Sequence, residues 1–518
     1  MKKKKKIKTA LLSVANKKNI IEFSKKLIYR KIKLFATNGT AKILKKNNIP
    51  VKKISDYIKF PEILNGKIKT LHPKIYGGIL AKKKNINEIN KYKIKKFDLI
   101  VVNFYKFKIK NNNKKNNLKK ISEFIDIGGP SIARAAVKNY KNVIIIHDIK
   151  DYKKIINKID QNKINSKMKF KFAIKTFKYI TLYDIKILNF ILKKKKKKIL
   201  PKKLTIKLLK NKKLRYGENQ HQKSALYYKK KIIKNKNIIF KKKIQGKKLS
   251  YNNIYDANIA LECVKTLKKP ACVIVKHGNP CGCAIGKNIF LSYKSAYKTD
   301  IDSCFGGIIA FNDFLDETTI KYILKKQFVE IIIAPKISLL AKKIIKKKKN
   351  IRVLIYNKKI KFKKNELDIK SINNGFLIQT KDKKINIKKY INVTKKKPNK
   401  KEIKDLLFAW KIVKFAKSNA IVYAKNLMTK SIGSGQTSRI DAIKMANKKA
   451  KETNKKINFS VLASDAFLPF KDNINLLSKN NITCIIQPGG SIRDKEIIKE
   501  ANKKNIAMIF TNIRQFKH

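Results

Sequence analysis

Short apolar runs recur along this chain, separated by stretches of helical pattern. Ala10–Val14, Leu99–Val102, Val143–Ile146, Cys272–Val275, Ile331–Ala334, Cys484–Gln487 and Ala507–Phe510 are examples. Each run ends in polar or glycine-rich residues. Strands buried on both faces read in this way, because helices cover both sides of a parallel sheet. The pattern predicts α/β architecture.

A chain of 518 residues holds more than one domain and ample core. A hydrophobic content of 43% excludes a wholly disordered chain. The clearest break lies between residues 186 and 203. Lys193–Lys198 is an unbroken lysine run, and Pro201 follows. A self-repelling run stopped by proline is a linker pattern. It divides the chain into residues 1–198 and 199–518. Residues 341–370 are Lys-rich with little pattern and are expected to form a surface segment. No short-period repeat is visible.

The first residues imitate a signal peptide, with a basic start and a short apolar core. That core runs straight into Asn16-Lys17-Lys18, so a buried first strand over residues 9–15 is the better reading. No apolar run approaches the roughly 18 residues that a membrane span needs. The six cysteines, Cys263, Cys272, Cys281, Cys283, Cys304 and Cys484, form no CxxC pair. Free thiols in a reducing cytoplasm are expected. Cys281-Gly282-Cys283 after a proline hints at zinc. The one-residue spacing and the absence of His-x-Glu argue against a deaminase-type metal site, and no metal is expected.

Lys and Arg number 130 against 32 Asp and Glu, a formal net charge of +98. Such a charge suits a polyanion binder. It equally suits a lysine-coated globular protein. Lysine is spread along the whole chain, and Ile and Asn are also abundant. This trio points to a coding bias toward A and T. A surface built for nucleic acid would draw more on arginine, the better bidentate phosphate reader. No specific nucleic-acid partner is expected.

Residues that such drift disfavours survive where the physics is unforgiving. Only seven of the 130 basic residues are arginine: Arg30, Arg134, Arg215, Arg352, Arg439, Arg493 and Arg514. Glycines are bunched at Gly77-Gly78, Gly128-Gly129, Gly282 to Gly286, Gly306-Gly307, Gly433-Gly435 and Gly489-Gly490. Bunched glycines mark loops with positive φ or close backbone approach to a ligand. Gly128-Gly129-Pro130-Ser131 opens a helical pattern and offers free N–H groups to an anion. It also fits an ordinary cap with proline in the first turn. Lys69, Lys138 and the loop Thr37-Asn38-Gly39-Thr40 tip the balance toward a phosphorylated small substrate. In the second half, Lys276-His277-Gly278-Asn279-Pro280 follows a buried strand. A cation beside a histidine favours the neutral imidazole, which can accept a proton.

At these residues the chain closely resembles the bifunctional purine-biosynthesis family of AICAR formyltransferase/IMP cyclohydrolase. The stretches SDYIKFPEILNGKIKTLHPKIYGGILA, FIDIGGPSIARAAVKN, LRYGENQHQ, QGKKLSYNNIYDA and PACVIVKHGNPCG carry the resemblance. LLFAWKIVKFAKSNAIVYAK, SGQTSRIDA, ASDAFLPFKDN, IIQPGGSIRD and the closing FTNIRQFKH continue it in family order. Only about residues 150–200 and 335–370 match loosely.

The resemblance implies a Rossmann-like, methylglyoxal synthase-like N-terminal domain that closes formyl-AICAR to IMP. It implies a larger C-terminal region of cytidine-deaminase-like units, without zinc, that formylates AICAR from 10-formyltetrahydrofolate. A homodimer with formyltransferase sites at the subunit interface is implied as well. His277 would be the base, Lys276 its electrostatic partner, and Asn279 a further oxyanion donor. Arg215, Tyr216, Asn253, Gly306, Glu330, Asn419, Arg439, Phe467 and Arg514 fall at AICAR positions. Ile440, Asp472, Gly489 and Gly490 fall at folate positions. Lys138 would transfer the proton in cyclisation, with Lys69 stabilising charge. Ser13, Lys17, Thr37, Asn38, Gly39, Thr40, Thr70, Tyr105, Asp126 and Ile127 fall at the IMP site.

Departures from the family pattern fall mostly in the N-terminal half. The first loop reads Ser13-Val14-Ala15-Asn16-Lys17-Lys18-Asn19 where the family usually has SVSDKTG, and Asn38 replaces a glycine. Lys106 replaces a proline and Tyr140 a histidine. In the C-terminal half Gln220 replaces a proline and Gly278 an alanine. The cyclohydrolase step is chemically the easier one, so a loosened site is expected to suffice.

Overall fold

A computed structural model describes residues 7–105, 122–194, 199–206, 208–229, 240–358, 366–382, 387, 389–454 and 456–518. The chain forms two compact units, Met1–Lys203 and Leu204–His518. The domain boundary read at residue 198 and the departure at Lys106 lie outside the described residues.

The first unit is built on a five-stranded parallel sheet: β1 (Thr9–Val14), β2 (Lys33–Ala36), β3 (Lys52–Lys53), β4 (Leu99–Asn103) and β5 (Ile144–Ile146). The order is β3-β2-β1-β4-β5. The run read as a first strand is central, and Ala10, Leu11 and Leu12 are fully buried. Leu11, Ile100 and Ile145 face one core layer, and Ala10, Leu12, Leu99 and Val101 face the other. Helices cover both faces, so the middles of β1, β4 and β5 are apolar. Strand order reverses between β1 and β4. In open α/β sheets the crevice at the carboxyl ends of such strands holds the ligand. The helix Ser166–Lys194 runs into the stretch read as a linker.

The second unit departs from the parallel expectation. Its central sheet has twelve strands and is mixed, in the order β16-β21-β20-β19-β17-β18-β10-β9-β11-β12-β13-β8. The strands are β8 (Phe240–Gln245), β9 (Ala271–Lys276), β10 (Asn279–Ile285), β11 (Ile308–Phe311), β12 (Ile331–Ala334), β13 (Arg352–Tyr356), β16 (Ile391–Asn392), β17 (Ile421–Lys425), β18 (Met428–Gly433), β19 (Val461–Ser464), β20 (Cys484–Gln487) and β21 (Ala507–Phe510). Two hairpins stand apart, β6 (Leu208–Lys213) with β7 (Ala225–Lys229), and β14 (Leu367–Ile372) with β15 (Gly375–Thr380).

Two tight hairpins make the sheet mixed. β9 turns into β10 through His277-Gly278, and β17 into β18 through Asn426-Leu427. All four turn residues have positive φ, at 51°, 78°, 56° and 55°. Positive φ at both central positions is the turn whose twist matches antiparallel strands. The residues read as a patternless surface segment near 341–370 contain a helix, Leu339–Lys346, and the buried strand β13. Lysines on either side of β13 hide it in the sequence.

The second unit is also duplicated. Helix Tyr251–Val264, β9, β10, helix Ile289–Tyr297, β11, helix Glu317–Lys326, β12, helix Leu339–Lys346 and β13 follow one another, with the one-turn helix Ile301–Cys304 added before β11. Helix Lys400–Val413, β17, β18, helix Arg439–Glu452, β19, helix Lys471–Lys479, β20, helix Asp494–Lys503 and β21 repeat the series. The halves meet where β10 and β18 pair antiparallel, with Ala284 opposite Met428. Thr429 stitches this join: its hydroxyl accepts from Cys283 N at 2.9 Å, and its carbonyl accepts from Thr299 Oγ1 at 2.9 Å. Gly282 and Gly433 let the helices close on this centre. A Cβ at either would stand 2.0 Å from a helix carbonyl, that of Ala296 or Ala442.

Candidate active sites

In the first unit, the predicted residues gather at the carboxyl ends of β1, β2 and β4. Ser13 lies at the end of β1, and the following loop is tied to β4. Asn16 N donates to Asn103 Oδ1 at 2.7 Å, and Asn103 Nδ2 donates to Asn16 O at 3.1 Å. Lys17 brings its ammonium within 3.9 Å of where a Cβ on Gly39 would be. Thr37 to Thr40 open the helix Asn38–Lys46 directly after β2. Asn38 keeps the place of the family's glycine at this helix start, held by Ser55 Oγ at 3.2 Å and by its own N–H to Glu62 Oε1 at 3.2 Å.

Asp126 organises the other wall. Its carboxylate accepts from Tyr105 N at 3.0 Å and Gly129 N at 3.1 Å, and its own N–H donates to Tyr183 Oη at 2.7 Å. Lys69 Nζ lies 5.4 Å from the centre of the Tyr105 ring. The buried Thr70 approaches Gly128 so closely that a Cβ there would meet its Oγ1 at 3.0 Å. Ile127 is exposed beside them. Two helices, Pro73–Leu80 and Gly128–Lys138, start at this edge with Thr70 between them. Their N-termini add partial positive charge where a phosphate or oxyanion can sit.

Lys138 is not brought to this edge. It closes the helix that Gly128 opens, about 15 Å further along the axis, where the chain turns into β5. Helix length separates it from Lys69 and Asp126.

In the second unit, register assembles all the formyltransferase candidates along one edge of the twelve-stranded sheet. The His277 turn joins β9 to β10 there. β11 runs antiparallel to β9, and β12 and β13 parallel to β11, so all three begin at this edge. Gly306, Glu330 and Arg352 sit at those beginnings. β18 ends there, with Ser434 to Arg439 following, and β17 begins there after Asn419. β19, β20 and β21 end there, placing Phe467, Asp472, Gly489, Gly490 and Arg514. Ile440 follows Arg439 in the first turn of its helix.

The candidates form two groups on that edge. In the first, Glu330 Oε2 accepts from Arg352 Nη1 at 2.5 Å and from Asn253 Nδ2 at 3.2 Å. Asn253 is fixed by a capping box with Ser250. Arg215 N donates to Leu249 O at 2.9 Å, and Tyr251 N donates to Tyr216 O at 3.1 Å. This brings Arg215 and Tyr216 to the same wing, with the guanidinium 5.3 Å from the Tyr216 ring centre. In the second group, Asn419 Nδ2 donates to Gln436 O at 2.9 Å and Thr437 O at 3.0 Å. The peptide between Ser418 and Asn419 is cis. The guanidinium of Arg439 is held by the fully buried Asp465. Exposed Arg514 stacks over Phe516, 4.3 Å from the ring centre.

Between the groups, Lys276, His277, Asn279, Asp300, Ser431 and Ser434 line part of a cavity of about 330 Å³. Asn279 Oδ1 accepts from Lys417 N at 2.9 Å. Lys517 Nζ donates to Gly278 O at 3.3 Å and Phe415 O at 2.7 Å, and burial pulls its pKa down to about 8. Cys281 lies in the cavity wall, its thiol pushed up to about 12 by burial, and burial raises that of Cys283 well above the ordinary thiol value. Neither is poised as a metal thiolate. Among the described residues no group of three or more His, Cys, Asp or Glu could hold a metal ion.

Sequence reasoning named His277, Glu330 and the arginines but did not pair the arginines with their carboxylates. Asp465 stood in the polar cluster Ser464-Asp465-Ala466-Phe467, and Arg352 among the rare arginines. No spacing rule pairs Asp465 with Arg439, or Arg352 with Glu330, before the register is known.

Two α/β units with separate polar strand-end clusters define an enzyme with two sites. The MGS-like domain model matches residues 19–131. The AICARFT/IMPCHase bienzyme model matches residues 136–449, more than half of the chain. The bifunctional purine biosynthesis protein PurH of Buchnera aphidicola subsp. Schizaphis graminum is 52% identical over 521 residues, covering 99% of both chains. The protein of that name from Buchnera aphidicola subsp. Baizongia pistaciae is 50% identical over 525 residues, again covering 99% of both. A solved structure titled "Crystal structure of ForH" aligns with 36% of this chain and 96% of its own, at 28% identity and a TM-score of 0.33.

The chain belongs to the AICARFT/IMPCHase bienzyme family. It is an AICAR formyltransferase and IMP cyclohydrolase of purine biosynthesis.

Proposed function

We propose that the two activities divide between the two units, with cyclisation in residues 1–198 and formyl transfer in residues 199–518. The observation that carries this reading is the meeting of the Lys276-His277 turn with the polar strand ends at one sheet edge. The AICAR amine is conjugated to its ring and is a poor nucleophile. His277 takes its proton as nitrogen attacks the formyl carbon of 10-formyltetrahydrofolate. Lys276 and Asn279 steady the oxyanion, which collapses as His277 returns the proton to the departing folate nitrogen, releasing tetrahydrofolate and formyl-AICAR. Arg215, Tyr216, Asn253, Gly306, Glu330, Asn419, Arg439, Phe467 and Arg514 bind AICAR. Ile440, Asp472, Gly489 and Gly490 bind the folate. No metal takes part.

In cyclisation the carboxamide nitrogen attacks the formyl carbon and water leaves, giving IMP. The loops of Ser13, Lys17 and Thr37 to Thr40 hold the nucleotide. Lys69, Thr70 and the helix start at Gly128 hold the anionic groups, and Tyr105 with Asp126 fix the folded conformer. Lys138, the proton-transfer residue that the resemblance implies, stands at the other end of the helix that Gly128 opens.

The working form in this reading is a homodimer. β12 and β21 lie eight strand intervals apart, about 40 Å along the sheet. Glu330 and Arg514 of one chain are therefore too far apart for one nucleotide, and a second copy would complete each site. Exposed Phe305 and Phe328 beside Gly306, and exposed Phe376 and Leu377 on the β14–β15 hairpin, are suited to such an interface. We place the enzyme in the cytoplasm, in keeping with six free buried cysteines. Nucleic acid and membrane have no part in this reading, and no helix among the described residues is long and apolar enough to cross a membrane.

A coupled assay tests the division. With AICAR and 10-formyltetrahydrofolate, purified protein should yield both formyl-AICAR and IMP. His277→Ala should abolish the first product yet still cyclise added formyl-AICAR. Loss of both activities in a folded variant would refute the two-site assignment.

A further inference from the structure

The duplication supplies a comparison that bears on His277. Both hairpin turns are left-handed at both central residues. In the second half, Asp405 closes the turn from the neighbouring helix. Its carboxylate accepts from Asn426 N at 2.8 Å and Leu427 N at 2.7 Å. Asp405 is the sixth residue of the helix Lys400–Val413. The sixth residue of the matching helix Tyr251–Val264 is Asp256. Burial raises the pKa of its carboxyl, and the backbone N–H groups of His277 and Gly278, which it faces, act to lower it. The same acid, on the same helical turn, stands at the same two amides in both halves.

Asp405 shows that the grip belongs to the fold, because its turn carries Asn and Leu and no base. At Asp256 the gripped residue is the one that takes the AICAR proton. A histidine at positive φ is uncommon and is held only where its surroundings over-determine it. Three contacts do so here. Asp256 faces the two turn amides, Lys517 donates to the Gly278 carbonyl, and Tyr255 and Ile259 of the same helix lie against Gly278.

We propose that Asp256 is a positioning residue for formyl transfer, setting the direction of His277 by clamping the His277–Gly278 turn. It touches no substrate. The clamp acts only through where the imidazole points, so its loss falls on turnover and leaves substrate binding alone. The proposal rests on His277 being the base, which His277→Ala tests separately.

The experiment compares Asp256→Asn with Asp405→Asn. Each keeps the side-chain shape and replaces one acceptor oxygen by a donor facing an N–H. Asp256→Asn should lower kcat for formyl transfer by about 10- to 100-fold with KM for AICAR and folate little changed. Cyclisation of added formyl-AICAR should stay at its parent rate. Asp405→Asn should shift the thermal midpoint by a similar amount and leave kcat unchanged. Asp256→Ser, whose hydroxyl can accept one of the two amides, should fall between. Unchanged kcat in Asp256→Asn would overturn the proposal. Equal loss of kcat in Asp405→Asn would also overturn it, as would failure of both Asp256 variants to fold where Asp405→Asn folds. The last two outcomes would make the clamp a stability element only.

Discussion

Arg439 and Asp465 form an ion pair sealed from solvent, with side-chain exposures of 5% and 0%. Asp465 accepts further from Ser418 Oγ at 2.6 Å and Ala420 N at 3.1 Å. A carboxylate this deep is tolerable because each oxygen is matched. Removing it leaves a buried guanidinium alone. Asp465→Ala should cost about 3–5 kcal/mol of stability in denaturant titration. The double variant Arg439→Met with Asp465→Leu should recover most of that loss while binding AICAR more weakly. Equal stability of Asp465→Ala and parent would show that the pair does not hold the fold.

The distance between Glu330 and Asn419 along the sheet edge leads to a mixing experiment. Glu330→Ala and Asn419→Ala should each be nearly inactive in formyl transfer. If one site takes Glu330 from one chain and Asn419 from the other, unfolding and refolding the two together should restore up to about a quarter of parental activity. The mixed dimer would hold one intact site. No recovery in verified mixed dimers would place both residues in a site formed by a single chain.

The two lysines of the first unit should separate. Lys69 stands at the strand-end crevice beside Tyr105, and Lys138 at the far end of its helix. Lys69→Met should slow cyclisation of formyl-AICAR by about 100-fold, as loss of a charge aimed at a developing oxyanion does. Lys138→Met should slow it far less. A larger loss at Lys138 than at Lys69 would move the proton-transfer step away from this crevice.

His147 gives the first unit an acid limit. Its imidazole stacks on Tyr179 with ring centres 4.4 Å apart and meets Thr176 Oγ1 at 3.0 Å. Burial pulls its pKa from 6.5 down to about 4, and Lys175 adds in the same direction against Asp148 and Asp151. The unfolded chain takes up this proton near pH 6.5, and the folded chain only near 4. Stability is therefore full above 6.5 and falls as pH drops toward 4, by about 1–3 kcal/mol. His147→Phe should flatten the change in thermal midpoint between pH 7 and 5. A parent midpoint that is constant over that range would contradict the assignment.

Much of the scaffold was legible because buried strands must be apolar. The runs at 10–14, 331–334, 484–487 and 507–510 all became strands. β10 was not legible: Asn279-Pro280-Cys281-Gly282 reads as loop punctuation, yet close helix packing is what demands the glycine. β13 was hidden by its lysine-rich neighbours. Most of the glycine clusters and three of the scarce arginines fall at strand-end edges. The pairings of Glu330 and Asp465 with arginine, and the place of Asp256 beside the His277 turn, arise only through register. The sequence groups Lys138 with Lys69, whereas ten residues of helix carry it about 15 Å along the axis from Gly128.

The join at Thr429 sets the terms on which the two halves of the second unit can change. Besides Thr429, Asn279 with Lys417, Gly278 with Lys517, Asp300 with Lys449 and one shared apolar core cross between them. A change in one half is therefore felt in the other, and the two can diverge only in step. One hairpin turn carries His277 and its twin carries Asn426 and Leu427, which leaves the molecule with a built-in reference copy of the His277 turn.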